Sequence, residues 1–377
     1  MKRHLLLIAM VGLVALLAAC APPAQVPSDP AAQAPEGGQE AEPGASEATG
    51  APQDEQALVE AAMEEGGISY WSTLLTPQTA EQLAVAFRER YGLGNDFAVD
   101  FAALSTSDLA TRAEQELAAG AVSVDILSSG SAPFFYRLKD EGAIMQYESP
   151  SHEAYEAAFE AGMGDPGYFA ADAISLGIPM WNPSHVDLEI QSWTDVLEHD
   201  LDGQLIVGDV ENSLTHLLTY MGMRDVLDRD FFEQLAASGP GVTVRADDIA
   251  QSLVTGEYPI TTSGTPSRGY QMEQEGVELE VAYPEEGVVL VPQAWAILEE
   301  APHPNAAKLW IDFIFSEEGQ RVYQEGEAPI SGRAGFESAS DKWAPALDEL
   351  EVIEMDWENI TEEEQDEARA EWREIFR

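Results

Sequence analysis

GISYWS (67–72), PQTAEQLAVAFRERY (77–91), FAVDF (97–101), SDLATRAEQELAA (107–119) and VSVDILSSG (122–130) follow one another near the start of the chain's body. The first, third and fifth runs alternate or cluster apolar residues over a short span, as half-buried and buried strands do. The second places Leu83, Val85, Ala86, Phe87 and Tyr91 at helical positions, the fourth is a second helix, and residues 134–141 form a third. This β-α-β-α-β-α order predicts an α/β fold in which a sheet with parallel strands is covered by helices. Each strand ends in a small polar loop: Ser72 and Thr73, then Ser105 and Thr106, then Ser128, Ser129 and Gly130. Those carboxyl ends are where open α/β sheets bind ligands.

Toward the C-terminus the alternation continues. A strand at 173–179 leaves the first group, and 192–197 follows, then a strand at 205–209. Asn212, Ser213 and Thr215 open a helix to Met223, and helices follow at 230–238 and 246–255. A buried strand at 260–264, carrying Thr262 and Ser263, leads to a helical stretch from Ser267. Strands are expected at 277–283 and 288–298, and an amphipathic helix at 304–315 buries Ala307, Leu309, Trp310, Phe313 and Ile314. Residues 336–377 are an acidic helical segment in which Ala368, Trp372, Ile375 and Phe376 share one side of a helix at 362–376 and pack on the body. There is no internal repeat.

Toward the N-terminus, Lys2, Arg3 and His4 precede an apolar run that ends in LAAC (17–20). This is the pattern of a secretory signal, too short for a comfortable membrane span. Cys20 is the only cysteine, so no intramolecular disulfide can form. LAAC resembles the lipobox of bacterial lipoproteins, which implies lipidation of Cys20 and a signal peptide of residues 1–19. Residues 21–56 contain no aromatic residue, and Val26 is their only aliphatic larger than alanine. Such a segment cannot bury enough apolar surface to offset its ordering entropy, so 20–56 is expected to be a lipid-bearing, structureless tether.

Charge narrows the function classes. The chain has 69 acidic and 18 basic residues, a net charge of −51. Removing Lys2 and Arg3 with the signal leaves 16 basic residues and −53. An apolar fraction of 45% argues for a folded body coated in carboxylates. Their mutual repulsion is relieved by salt, which points to a protein adapted to high ionic strength. Nucleic-acid binding is excluded for want of clustered Lys and Arg.

Several runs line up in one order: ISYWST (68–73), ALSTSDLATR (103–112), VDIL (124–127), LGIPMWNP (176–183), SWTDVL (192–197), YPEEG (283–287), APHPNAAK (301–308) and FIFSEEGQ (313–320). Together they resemble the extracellular solute-binding proteins of ABC importers, in particular the group that includes ferric-iron binders. The resemblance covers roughly 58–335. It implies a type II periplasmic binding protein fold, with mixed sheets covered by helices in two lobes and two crossover strands. Residues 57–175 with 290–335 would form one lobe and 176–289 the other. The crossovers would lie near 173–179 and 288–297. It further implies a monomer that captures a small solute in the interlobe cleft and delivers it to permease and ATPase subunits. The lipid would hold it in the cell envelope, at the outer face of the cytoplasmic membrane or in the periplasm.

The expected ligand contacts are Ser72, Thr73, Ser105, Thr106, Ser128, Ser129, Gly130, Asn212, Ser213, Thr215, Thr262, Ser263, Arg268 and Tyr270. Hydroxyl and amide donors at helix N-termini suit an anionic or carboxylate-bearing solute. The same residue types are ordinary N-caps, so capping is the alternative at each loop. Aligned on Tyr270, Ser267 and Arg268 stand where the iron-binding relatives carry a tyrosine pair. This departure favours a guanidinium clamp over ferric coordination. A surface ion pair is the alternative for Arg268, and a shifted alignment would make Tyr270 a ligand. Ferric iron or an iron chelate remains the alternative cargo; a ligand-sensing ectodomain and an envelope enzyme are alternatives of another class.

No catalytic motif, cofactor loop or resident metal site is expected. The chain lacks a Gly-x-Ser-x-Gly elbow, a phosphate loop and a Gly-x-Gly-x-x-Gly turn. Glu198–Asp209 approaches an EF-hand spacing with Gly203 sixth. It begins with Glu, ends with Asp and runs into a strand, so an acidic turn is the simpler reading. No histidine has the spacing of a zinc pair.

Overall fold

Local signals set the first helix boundaries. Thr76 caps the helix Pro77–Tyr91 by accepting from Thr79 N, Pro77 takes the first helical turn, and Gly92 ends it in the left-handed region at φ 63°. Ser105 caps Thr106–Ala119 in the same way, accepting from Asp108 N. The structure, a computed structural model, describes residues 55–377. The signal peptide, Cys20 and nearly all of the tether lie outside the described residues.

Along the described chain the strands are β1 (Gly67–Ser72), β2 (Ala98–Ala103), β3 (Ile126–Ser129), β4 (Gly164–Asp165), β5 (Phe169–Ser175), β6 (Ile178–Trp181) and β7 (Leu205–Gly208). They continue with β8 (Gly241–Thr243), β9 (Ile260–Gly264), β10 (Glu280–Val281), β11 (Val288–Val289), β12 (Val291–Ile297), β13 (Ile330–Ser331) and β14 (Val352–Ile353). A seven-stranded sheet runs β13-β5-β12-β3-β1-β2, with β4 on β5. β1 is parallel to β2 and β3, whereas β12 is antiparallel to β3 and β5. A five-stranded sheet runs β10-β6-β9-β7-β8 and is also mixed. These are the two lobes of a type II periplasmic binding protein fold.

The chain passes from β5 in one sheet to β6 in the other across Leu176 and Gly177. The run expected as one strand at 288–298 is divided at Leu290: β11 pairs with β14, and β12 joins the first sheet. The expected strand at 277–283 shrinks to β10, two residues on the edge beside β6. Segment 192–197 is a 3-10 helix, Trp193–Glu198, held by a Ser192–Asp195 capping box.

Aromatic packing fills the first lobe, where Tyr70, Phe87, Trp295, Trp310 and Phe313 form a continuous cluster. In the second lobe Trp193 is fully buried and donates its indole N–H to Gly287 O at 2.9 Å. The C-terminal helix Glu362–Phe376 buries Ala368 and Trp372, and it packs on the helices Leu214–Val226 and Arg229–Ala237. Among the described residues, no helix is long and apolar enough to cross a membrane.

Candidate ligand site between the lobes

The carboxyl ends of β1, β3 and β2 face the start of Leu214–Val226, which follows β7. At the first lobe, Ser72 Oγ accepts from Leu74 N and Leu75 N at 3.4 and 3.3 Å and donates to Ser128 Oγ at 3.4 Å. Ser72 therefore shapes the turn rather than presenting a free donor. Thr73 Oγ1 accepts from Gly130 N at 3.3 Å and donates to Gln293 Oε1 at 3.1 Å. Ser129 is fully buried, and its hydroxyl has no protein partner.

At the helix starts, two contacts cross from one lobe to the other. Thr106 Oγ1 and Thr215 Oγ1 lie 3.0 Å apart, and Ser107 Oγ donates to Asn212 O at 3.0 Å. Thr106 and Thr215 both stand in the first turn of a helix, so two helix N-termini are brought together from opposite lobes. Ser105 and Ser213 are the caps of those helices, accepting from Asp108 N and His216 N. Asn212 is fixed by Asp209, to which its backbone N–H and side-chain amide donate at 3.2 and 2.9 Å.

Gly130 brings backbone close to both lobes: a β-carbon there would displace the Gln293 amide and touch Thr215 Oγ1 at 3.4 Å. Gln293 itself was not among the expected site residues. It stands on β12 at a β-bulge, nearly buried, with its amide on Thr73 and over Gly130. Its signal in the sequence is a polar residue inside the apolar run VVLVPQAWAIL (288–298).

Other expected residues are placed elsewhere. Thr262 and Ser263 border a cavity inside the second lobe with Gly208, His216 and Trp372. Ser263 Oγ accepts from Gly208 N at 3.0 Å. Burial pushes the His216 imidazole down to about 4, so this wall is neutral at ordinary pH. Tyr270 donates its hydroxyl to Glu325 O at 3.3 Å. Arg268 is nearly buried, and protein groups surround its guanidinium. Nη1 donates to Glu327 Oε2 and Gln271 Oε1 at 2.8 and 3.1 Å, and Nη2 donates to Leu74 O at 3.0 Å. Nε lies 2.7 Å from Asp247 Oδ1, off the N–H axis, as an ion pair without a well-formed hydrogen bond. Among the described residues, no three His, Cys, Asp or Glu side chains are grouped to hold a metal ion, the acidic turn at 198–209 included.

The fold recurs in solved structures. The chain is similar to AfuA from Actinobacillus pleuropneumoniae with exogenous fructose-6-phosphate bound, at 19% identity and TM-score 0.69 over 82% of this chain and 98% of that one. It is similar to the substrate-binding protein of an ABC transporter from Agrobacterium tumefaciens, at 15% identity and TM-score 0.72, covering 82% and 94%. It is also similar to iron-bound HitA from Pseudomonas aeruginosa, at 17% identity and TM-score 0.64, covering 82% and 99%. By sequence, no curated protein matches. The family model for bacterial extracellular solute-binding proteins matches residues 122–358, which take in most of both sheets and half of the cleft loops. On that match, the chain belongs to the bacterial extracellular solute-binding proteins.

Proposed function

We propose that this protein is the lipid-anchored capture subunit of an ABC importer and that its solute is small and anionic or carboxylate-bearing. The observation that carries the anionic reading is the meeting of the helix N-termini at Thr106 and Thr215. Two positive dipole ends brought together repel each other, and an anion beside them is stabilised by both. The unpartnered Ser129 hydroxyl, Thr73, Thr106, Thr215 and the Gln293 amide supply neutral donors around that point. The sugar phosphate bound by AfuA is a ligand of this chemical kind. Iron-bound HitA favours a second reading, ferric iron or its carboxylate chelate, of which the chelate would use the same donors.

In this reading Cys20 carries the lipid and residues 20–56 form the tether. The lobes 57–175 with 290–335 and 176–289 close as a monomer on the solute. Permease and ATPase subunits then take it from the closed form. The test is a thermal-shift and calorimetric screen in molar salt against inorganic phosphate, sugar phosphates, citrate, ferric citrate and primary amines. The expected result is stabilisation by a member of the anionic set, weakened about tenfold or more by Thr106→Val with Thr215→Val through loss of two hydrogen bonds. Stabilisation by amines alone, or an anion whose binding ignores both threonines, overturns the proposal.

A further inference from the structure

Arg268 and Glu327 stand on opposite lobes and meet in the contact between them. Arg268 lies in the first turn of the helix Pro266–Gln274, directly after β9 of the second sheet. Glu327 ends the helix Glu317–Glu327, which leads into β13 of the first. Glu327 is 0% exposed and Arg268 8%. Arg268 Nη1 donates to Glu327 Oε2 at 2.8 Å, and Nη2 donates to the carbonyl of Leu74 at 3.0 Å. Both acceptors belong to the first lobe. Gln271, one turn further along the same helix, donates to Glu327 Oε2 at 2.7 Å and to Gly326 O at 3.3 Å. The other oxygen, Oε1, accepts from Thr76 N and Thr76 Oγ1 at 2.8 and 2.9 Å.

One carboxylate oxygen is thus held by its own lobe, and the other is held entirely by the opposite lobe. An exposed pair of this kind would contribute little. A buried pair is favourable only when its remaining donors and acceptors are satisfied. Neutral groups complete Glu327, while Arg268 Nε faces the Asp247 carboxylate of its own lobe as an ion pair without a well-formed hydrogen bond. The backbone beside Glu327 is set by the helix end, where the Ala328 N–H donates to Gln324 O. Among the described residues Ala328, next to Glu327, is the one non-glycine with positive φ, at 41°. A left-handed alanine is strained, and it persists where surrounding contacts over-determine it.

We infer that Arg268, Gln271 and Glu327 form a latch that holds the lobes closed before ligand arrives. They are positioning residues for capture, because they set the closed fraction on which the apparent affinity depends. The inference rests on the hinged capture proposed above. Its test needs no ligand, so it can fail while that reading stands.

The test is hydrogen exchange on the full ligand-free chain, comparing wild type with Glu327→Gln and Arg268→Lys. The readout is the second interlobe contact, residues 106–110 and 214–218. Thr106 follows β2, at the edge of the first sheet opposite β13, so local loosening beside Glu327 does not reach it. The latch predicts faster exchange in both segments, about tenfold where the open fraction rises tenfold, with β3 still protected. A variant that also loses β3 protection is unfolding globally, and the other variant then carries the test. Unchanged exchange at 106–110 and 214–218 in a folded variant overturns the latch. Should both variants unfold globally, the pair is a requirement of the fold and the latch is likewise overturned.

Discussion

Asp172 is fully buried on β5, where Gln320 Nε2 donates to Oδ2 at 3.1 Å and Oδ1 has no partner. Burial pushes its carboxyl up to about 8, because the charged form has lost its water. The unfolded chain releases this proton near the ordinary carboxylate range, while the folded chain keeps it until about pH 8. Between those values the native state binds more protons, so this group's cost to stability grows as pH rises and is complete above about 8. Asp172→Asn is therefore expected to stabilise the protein by about 1 kcal/mol or more at pH 8 and to have little effect at pH 4, since one pKa unit is worth about 1.4 kcal/mol. Paired denaturant melts at the two pH values measure it, and a gain that is equal at both contradicts the assignment. Burial of this sort is not legible in a sequence with 69 acids, and neither is the environment of Arg268. The sequence marks Thr73, Gly130 and Thr215 as candidate site residues by their place at strand and helix ends. It could not show that the Arg268 guanidinium is held by Glu327 and Leu74, because those partners lie 59 and 194 residues away.

Elements with an apolar period were legible, and elements that bury polar groups were not. The helix Glu317–Glu327 buries Gly319, Gln320, Tyr323, Gln324 and Glu327, a face with no hydrophobic stripe to reveal it. The C-terminal helix does carry a stripe, and its aromatics dock as expected: Trp372 is buried and stacks on Phe376 with ring centroids 5.1 Å apart. Its polar face is equally engaged. Arg224 pairs with Glu371 at 2.7 Å and Arg229 with Glu374 at 3.0 Å. Arg373 reaches Glu211 at 2.6 Å and Arg377 reaches Asp209 at 3.2 Å. The last two carboxylates belong to the loop that fixes Asn212, so the helix braces that loop. Trp372→Ala is expected to cost ~3–5 kcal/mol, the usual range for emptying a large buried aromatic site. Equilibrium denaturation measures that loss, and hydrogen exchange should show 209–215 loosened more than β1. Destabilisation without selective loosening of 209–215 would mean that the helix supports the lobe but not the loop.

The whole molecule carries a charge of −51, and many of its scarce cations are held in ion pairs, most of them at the surface. Most carboxylates are left facing one another across solvent, where the interaction is governed by screening. At about 0.01 M salt the Debye length is roughly 30 Å, comparable to a lobe, and every surface carboxylate feels many others. At about 1 M it falls to roughly 3 Å, and only near neighbours still repel. The folded state holds these charges closer together than the unfolded chain does, so screening favours folding. The melting temperature is expected to rise from low to molar sodium chloride, by roughly 2 °C for each kcal/mol of repulsion relieved in a body of this size. Two mechanisms would raise it, and they separate by shape. Screening of repulsion flattens as the Debye length drops below the charge spacing, whereas strengthened apolar burial continues to grow with an excluded salt such as sulfate. A steep rise at low salt that then levels, alike in chloride and in sulfate of equal ionic strength, is the signature of carboxylate repulsion. A melting temperature that stays flat through that low-salt range would show that the acidic surface costs the fold nothing, and adaptation to high ionic strength would have to be abandoned.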